Sequence, residues 1–159
     1  MRFFFYGTLL DADLRRTLCG PAADAWTLAR AELAGYRRGR SRGRTYPFLV
    51  ADPAGVVAGV VADGLDATAA AILTLYEGSG YRLARLAPAG ADGPVDSWVF
   101  LPRRRVVADL SWMLDDWVVR HKAPTLLRIA AWRAALPAAE LAQAELRWRG
   151  RGQTGGPAA

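Results

Sequence analysis

The chain has 159 residues, a length that suits one domain with a helical extension and excludes two large domains. Hydrophobic residues make up 52% of it and charged residues 23%, so there is enough apolar surface to offset the entropy of ordering, and wholesale disorder is excluded. The net charge of +6 permits anionic partners, while the single cysteine, Cys19, excludes a disulfide scaffold or a zinc finger and favours a reducing cytoplasm as the location.

The first part of the chain is predicted to consist mainly of strands. Residues 2–6 are aromatic and strand-prone, and Gly7 ends them in a tight turn. Asp11 is the expected N-cap of a short helix that stops at Gly20-Pro21. Short apolar segments then recur roughly every ten residues, which predicts a small barrel or a strongly curved sheet. The segments are residues 29–33, 35–36, 46–50 and 56–62, with a turn at 52–55. Gly59, inside the last of them, predicts a bulge or a close approach of two backbones.

A second helix and two further strands follow. Residues 66–76 carry apolar side chains at helical spacing and begin with Asp66 as N-cap, and this helix is expected to end at Glu77-Gly78. Strands are predicted at residues 81–86 and 96–101, joined by a turn rich in proline and glycine.

The last third of the chain is predicted to be helical. Apolar residues between positions 110 and 121 fall on one face of a helix. Pro124 and Pro137 each stand where a further helix can begin, which predicts a second helix through Trp132 and a third over residues 138–148.

These patterns divide the chain into three parts. Residues 1–103 are expected to form a barrel domain, and residues 104–148 a C-terminal helical extension packed on it. Residues 149–159, rich in glycine, are expected to be a disordered tail.

Two short motifs are candidates for carrying chemistry. Tyr6-Gly7-Thr8-Leu9 places a glycine turn between the first strand and the first helix, where free backbone N–H groups can hold a carboxylate or an oxyanion. Glu77 stands at the end of the second helix among apolar and aromatic neighbours. Lost hydration and the negative end of the helix dipole both raise the pKa of a carboxyl group there, toward that of a general base. Taken alone, the first motif is more often an ordinary tight turn, and a glutamate like that of the second is more often solvated at the end of a helix.

Together, the two motifs resemble those of the γ-glutamylcyclotransferase-like family. Its hallmarks are a Tyr-Gly-Thr/Ser-Leu loop after the first strand and a catalytic glutamate in a Glu-Gly-x-x-Tyr segment. They stand here as Tyr6-Gly7-Thr8-Leu9 and Glu77-Gly78-Ser79-Gly80-Tyr81, at a spacing typical of the family. The resemblance covers residues 1–101, and Thr8 makes the loop similar to that of the γ-glutamylamine and plant-type branch.

The resemblance implies an α+β fold, a small mixed β-barrel flanked by helices, with a substrate cavity at one end and neither a metal nor an organic cofactor. It also implies a small-molecule γ-glutamyl substrate whose α-amine attacks its own γ-carbonyl, forming 5-oxoproline and expelling an amine. Glu77 is the implied general acid/base. The implied substrate-binding groups are the backbone N–H groups of Gly7, Thr8 and Leu9. The side chains of Tyr6 and Tyr81 are implied to bind the substrate as well.

Two positions depart from the family pattern. An Asp often precedes the glutamate by three positions and an Arg often follows the tyrosine by two, where this chain has Thr74 and Leu83. Arg82 and Arg85 are candidates to replace that arginine, although alternation along a strand sends Arg82 to the face opposite Leu83. Activity is expected, and the leaving amine stays open.

Other interpretations remain beside the enzyme. One is a non-catalytic binding or regulatory module with the same fold and pocket. Another is a nucleic-acid binder, because the arginines of residues 37–44 form a basic stretch that can hold phosphates. No recognised nucleic-acid motif accompanies that stretch, which disfavours this interpretation.

The distribution of apolar residues also bears on membrane association and on self-association. No apolar run approaches the roughly 18 residues that a membrane-spanning helix needs, so no membrane partner is expected. Trp112 and Trp117 need not share one helix face, and the C-terminal helices are therefore a candidate homodimer surface.

Overall fold

A central sheet and surrounding helices make up residues 1–153, which are the part of the chain that the computed structural model describes. The strands are β1 (Phe3–Phe5), β2 (Thr27–Gly39), β3 (Phe48–Asp63), β4 (Tyr81–Leu86), β5 (Ala89–Gly90), β6 (Gly93–Pro94) and β7 (Ser97–Pro102). The α-helices are α1 (Ala12–Cys19), α2 (Ala67–Glu77), α3 (Leu114–Arg120), α4 (Lys122–Ala135) and α5 (Ala138–Gln153). Short 3-10 turns lie at Thr8–Leu10, Gly20–Ala25 and Gly78–Gly80.

The strands form one seven-stranded sheet in the order β4-β7-β1-β3-β2-β5-β6. The short strand β1 is antiparallel to β3 and parallel to β7, so the sheet is mixed. The long β2 and β3 form an antiparallel ribbon that curls the sheet into a half-barrel. This arrangement confirms the predicted mixed α+β fold, and it places the end of β1 next to the start of the helices.

Alternate residues of β1 serve two different cores. Phe3 and Phe5 are buried in the cluster that the sheet shares with the helices, while Phe4 and Tyr6 are buried in the cluster on the inner, concave face. A strand points successive side chains to opposite faces, so both faces of β1 are apolar. Burying each of these aromatic rings contributes about 2 kcal/mol, which fixes the strand from which the site loop departs.

The predicted turn at residues 52–55 is wrong as a boundary between strands. Strand β3 runs through it, and the register with β2 jumps from Ala34 opposite Val56 to Tyr36 opposite Ala51. The turn chemistry is present, because the Asp52 carboxylate accepts a hydrogen bond from the Ala54 N–H at 3.2 Å. It produces a bulge because β2 continues to pair on both sides.

The close approach predicted at Gly59 is confirmed. A Cβ at this position would lie 2.3 Å from the Phe5 carbonyl oxygen. No side chain fits there, so β1 and β3 approach each other closely one residue before the site loop begins.

The C-terminal helices differ from their predicted bounds most at the start of the first helix and at the end of the third, and α4 is a few residues longer than predicted. The first begins at Leu114 rather than at residue 110, because Leu110 pairs with Arg40 in an isolated bridge and the Trp112 ring N–H donates to the Thr45 carbonyl at 3.0 Å. The apolar spacing therefore belongs partly to an extended segment fastened to the sheet.

Helix α5 extends to Gln153, so the predicted disordered tail is wrong for residues 149–153. The Arg151 guanidinium stacks on the rings of Trp98 and Trp148, which holds the last turn against the sheet. Residues 154–159 of the predicted tail lie outside the described residues.

The C-terminal helices complete the core of the sheet. Trp117, Ile129, Ala144 and Trp148 are buried in the same cluster as Phe3.

The division of the chain into domains at residue 103 stays a prediction. None of the helices within residues 1–153 is both long enough and apolar enough to cross a membrane.

Candidate active site

A cavity of about 360 Å³ opens where β1 and α2 end and α3 and α4 cover them. This volume lies within the range of roughly 300 to 1,000 Å³ that is usual for small-molecule sites. Its lining residues are Phe4, Phe5, Tyr6, Gly7, Thr8, Leu9, Thr45, Tyr46, Pro47, Tyr76, Glu77, Tyr81, Phe100, Trp117, Thr125, Arg128, Ile129 and Trp132.

Every site residue predicted from the sequence lines this cavity. Strand β1 delivers the loop of residues 6–9, the last residue of α2 is Glu77, and the first residue of β4 is Tyr81. The two motifs are far apart in sequence and meet because α2 packs on the sheet beside β1. The fold therefore places Glu77, Tyr6, Gly7, Thr8, Leu9 and Tyr81 around one space.

The carboxyl group of Glu77 is ionisable near neutral pH. Burial raises its pKa from 4.5 to about 7. Within residues 1–151 no hydrogen bond or ion pair offsets that burial. Gly78 fixes the position of the glutamate: it ends α2 with a φ of 68°, which favours glycine, and its N–H donates to the Thr74 carbonyl.

Two arginines, the buried Arg15 and the half-buried Arg38, hold the loop of residues 6–9 by its carbonyl groups. Arg38 donates to the Tyr6 carbonyl at 2.7 Å, and Arg15 donates to the Leu9 carbonyl at 2.7 Å. Across a planar peptide the carbonyl and the following N–H point in opposite directions, so the bond to Arg38 turns the Gly7 N–H away from that arginine. A Cβ on Gly7 would lie 3.0 Å from the Pro47 ring, so glycine also lets this loop approach its neighbour.

Part of the basic stretch at residues 37–44 has a structural role. Besides the contact of Arg38 with the site loop, Arg37 donates to the Ala108 carbonyl at 2.6 Å. Arg38 also lies 5.3 Å from the centre of the Trp112 ring. These guanidinium groups hold backbone segments together and are only partly available to an external phosphate.

The two predicted tyrosines are fixed next to Glu77. The Tyr6 hydroxyl donates to the Phe100 carbonyl at 2.7 Å, and the Tyr81 ring stacks on Phe48 with centroids 6.0 Å apart. Burial raises the pKa of both phenols, and the charge of Glu77 adds to the effect in each. Both tyrosines therefore stay protonated and present hydroxyl groups at neutral pH.

The sequence prediction missed the part of the cavity that α4 provides. Thr125, Arg128, Ile129 and Trp132, here called the α4 wall, line the cavity opposite the sheet. The Trp132 ring meets Tyr76 edge-on with centroids 5.8 Å apart. Thr125, Ile129 and Trp132 stand at helical spacing, a signal that shows a shared face but not what that face covers.

The candidates for the missing family arginine do not reach the cavity. Arg82 and Arg85 are exposed, and Arg85 is paired with Asp96 and lies over the Trp98 ring. The arginine that lines the cavity is Arg128.

The other departure, Thr74, has a structural role in this chain. Its hydroxyl accepts a hydrogen bond from the Trp148 ring N–H at 3.0 Å and donates to the Ala70 carbonyl at 2.7 Å. Helix α5 is thereby fastened to α2 one turn before Glu77.

The described side chains bring together no group of three or more His, Cys, Asp or Glu residues that could hold a metal ion. What the cavity offers instead is the desolvated carboxyl group of Glu77, the backbone of the glycine loop, the guanidinium of Arg128 and four phenols, those of Tyr6, Tyr46, Tyr76 and Tyr81. This set can move a proton and hold a polar, charged small molecule.

Known structures share this fold. A solution structure from Arabidopsis thaliana is 23% identical, with 80% of this chain and 86% of that chain covered and a TM-score of 0.61. An uncharacterised protein from Homo sapiens is 20% identical, with 91% and 85% covered and a TM-score of 0.57. A structure named gamma-glutamyl cyclotransferase is 15% identical, with 91% and 86% covered and a TM-score of 0.55. At these identities the likeness concerns the fold alone.

The sequence itself identifies the family. None of the curated proteins matches the chain. The family model described as gamma-glutamyl cyclotransferase, AIG2-like, matches residues 3–119, which is most of the chain and extends past the predicted limit at residue 101. The match includes both motifs that meet in the cavity, and the chain therefore belongs to the AIG2-like gamma-glutamyl cyclotransferase family.

Proposed function

We propose that the protein is a cyclotransferase that converts a γ-glutamyl amine, or a related γ-glutamyl amide, into 5-oxoproline and a free amine. The observation that carries this proposal is the carboxyl group of Glu77, unpaired in the cavity with a pKa raised to about 7. A general base works best when its pKa is close to the operating pH. Family membership supports the same reaction.

The reaction begins with the substrate's α-ammonium group. It gives a proton to the Glu77 carboxylate, and the resulting amine attacks the γ-carbonyl carbon of the same molecule. A new C–N bond forms while the carbonyl electron pair moves onto oxygen. Because nucleophile and electrophile belong to one molecule, holding the glutamyl chain folded supplies much of the rate.

Collapse of this intermediate releases the amine. The carbonyl re-forms, the bond from carbon to the leaving nitrogen breaks, and Glu77 returns its proton to that nitrogen. The second proton of the ring nitrogen passes to solvent, and the free amine takes up a proton at neutral pH. The products are 5-oxoproline and an ammonium ion, and no oxidant or cofactor enters the balance.

The loop and the tyrosines bind the charged ends of the substrate. We assign the N–H groups of Gly7, Thr8 and Leu9 to the α-carboxylate or to the developing oxyanion. The Arg38 contact with the Tyr6 carbonyl supports this assignment, because it sets the direction of the Gly7 N–H. The hydroxyl of Tyr81 is assigned to a polar group of the substrate.

Mass spectrometry for 5-oxoproline tests the reaction. The purified protein is incubated with a panel of γ-glutamyl amines, γ-glutamyl dipeptides and glutathione, beside Glu77→Gln. We expect product from the parent and a rate about 10²- to 10⁴-fold lower from the variant, the usual contribution of one acid/base. Circular dichroism and the melting temperature show whether the variant is folded.

Two results would contradict the proposal. Full activity in a folded Glu77→Gln variant would show that another group carries the proton. No product from any substrate, with ligands still binding in the cavity, would favour the non-catalytic module.

A further inference from the structure

Two loops rich in arginine lie side by side. The first is residues 40–47, between β2 and β3, and the second is residues 103–110, which follow β7. The Arg40 N–H donates to the Leu110 carbonyl at 2.8 Å, and the Leu110 N–H donates back to the Arg40 carbonyl at 3.2 Å. The Ser41 hydroxyl adds a hydrogen bond to the backbone of the second loop. Because the two loops are distant along the chain, only the fold brings their charges together.

The two loops combine six arginines into one charged surface. They are Arg40, Arg42, Arg44, Arg103, Arg104 and Arg105, here called the arginine surface. Arg40 is half-buried and the other five are exposed. Within the described part of the chain, none of the six forms an ion pair. The acidic residue of the two loops is Asp109, so the surface carries a large excess of positive charge.

The guanidinium groups of the arginine surface keep most of their hydrogen-bonding capacity. Arg37 and Arg38, just before the first loop, use theirs on backbone carbonyls. Within residues 1–151, the six side chains of the surface donate one hydrogen bond, from Arg40 to the Arg44 carbonyl at 3.5 Å. Each guanidinium has five N–H donors in a fixed fork that matches a phosphate group. The free donors therefore fit a ligand that carries several phosphates.

An aromatic ring lies among these charges. The Arg44 guanidinium is 5.9 Å from the centre of the Tyr46 ring, and Tyr46 is half-buried. Proteins that bind single-stranded nucleic acid hold the backbone with basic side chains and stack bases on aromatic rings. All six arginines lie outside the helices, so none is carried by a helix that could enter the groove of a duplex. The surface therefore fits a single strand better than a double helix.

Exposed apolar groups are scarce on this surface. Of the side chains that the structure describes in the two loops, the exposed large apolar one is Val107. Proteins that bind at a membrane surface bury an apolar face among the lipids, and protein interfaces have an apolar centre. Interfaces with nucleic acid are more polar and more positively charged than interfaces between proteins. The composition of the surface favours nucleic acid over both of these partners.

We propose that the arginine surface binds single-stranded nucleic acid through its phosphate backbone. The guanidinium groups contact successive phosphates, and one base stacks on Tyr46. Contacts to phosphates carry no sequence information, so this binding needs none of the recognised motifs that the chain lacks. The inference does not depend on the proposed cyclotransferase reaction.

Fluorescence anisotropy with a labelled uridine dodecamer tests the inference on the full chain. For a single strand, log K falls with log salt by a slope of about −0.7 for each phosphate contact. Six contacts therefore give a slope of about −4 between about 50 and 200 mM sodium chloride. Combining Arg103→Gln, Arg104→Gln and Arg105→Gln should halve this slope and weaken binding at least about tenfold at about 100 mM salt.

The matched control combines Arg30→Gln, Arg120→Gln and Arg147→Gln. These three arginines are exposed, form no ion pair within the described residues and lie outside the two loops. Both triple variants lower the net charge from +6 to +3, and circular dichroism shows whether they are folded. The control should keep the slope and affinity of the parent. Tyr46→Leu should keep the slope and weaken binding about fivefold, the lower end for one stacked base.

Several outcomes would overturn the inference. Equal losses of affinity in the two triple variants would show that only the overall charge attracts the strand. A labelled glutamate dodecamer that binds as tightly as the uridine dodecamer would make this a surface for acidic peptides. Failure of the parent to bind the uridine dodecamer at about 50 mM salt would also overturn it, and binding to phosphatidylserine vesicles instead would assign the surface to a membrane.

Discussion

The two sides of the cavity are built in different ways. On the sheet side, the loop of residues 6–9 is fixed by the buried Arg15 and the half-buried Arg38, and Glu77 is the last residue of a helix packed on the sheet. On the other side, the α4 wall presents the exposed Arg128 and the half-buried ring of Trp132. The sheet side carries the groups to which we assign the proposed reaction, and the α4 wall carries groups that can contact another part of a ligand. Mutations on the sheet side and mutations in the α4 wall are therefore expected to change different properties, the reaction rate and the choice of ligand.

The largest effect that would test this division is the pH dependence of kcat/KM. In the proposed reaction Glu77 accepts a proton, so its carboxylate must be ionised, and burial raises its pKa to about 7. The α-ammonium group of the substrate is already protonated below that pH. We expect kcat/KM to fall about tenfold per pH unit below 7, and so about 100-fold at pH 5. A profile that is flat from pH 5 to pH 8 would remove Glu77 from the proton transfer.

The second effect is on stability and concerns the sheet side alone. The folded protein binds a proton at Glu77 more tightly than the unfolded chain does, because burial raises the pKa from 4.5 to about 7. Stability is therefore lost as pH rises through this window, by about 2 kcal/mol after allowing for partial exposure. We expect Glu77→Gln to exceed the parent by that amount at pH 8 and to match it at pH 4 in urea titrations. Equal stabilities at pH 8 would show that the carboxylate is solvated.

The third test concerns positioning on the sheet side. Arg38→Met removes the donor that holds the Tyr6 carbonyl and is expected to lower kcat about tenfold with a smaller change in KM, because the Gly7 N–H is no longer directed. Arg37→Met is the matched control: it removes the neighbouring guanidinium, whose acceptor is the Ala108 carbonyl. Equal losses of kcat in the two variants would indicate general destabilisation rather than positioning.

The smallest expected effect concerns the attachment of α5. Trp148→Phe keeps an aromatic ring in the core but removes the N–H bond to the Thr74 hydroxyl, at a cost of about 1 kcal/mol. The melting temperature should fall by roughly 2 to 4 °C, and the preference between leaving amines should not change. A changed preference would show that α5 influences the α4 wall, and the two sides would then not be independent.

The sequence could predict which residues form the sheet side of the cavity because that information is local. Four adjacent residues carry the loop, and Glu77 stands next to the glycine that ends its helix. Each motif can be recognised without knowing what packs on it. The mixed α+β fold follows from the same family resemblance.

The remaining parts depend on contacts between distant segments. Nothing local shows that Leu110 pairs with Arg40, so helical spacing was extended into a segment that is not helical. Residues 52–55 have the composition of a turn, but pairing on both sides keeps them within one strand. The place of Arg128 in the cavity lining depends on how α4 packs against α1 and α3, which its own periodicity does not specify.

The position of two tryptophans gives the protein its own optical probe. Of the six in the chain, Trp117 and Trp132 line the cavity. Trp117 is buried and Trp132 is half-buried, so a ligand that displaces water from the Trp132 indole will change its emission. Titrations can therefore follow occupancy by intrinsic fluorescence without a label, and Trp132→Phe separates the signal of the α4 wall from that of α3.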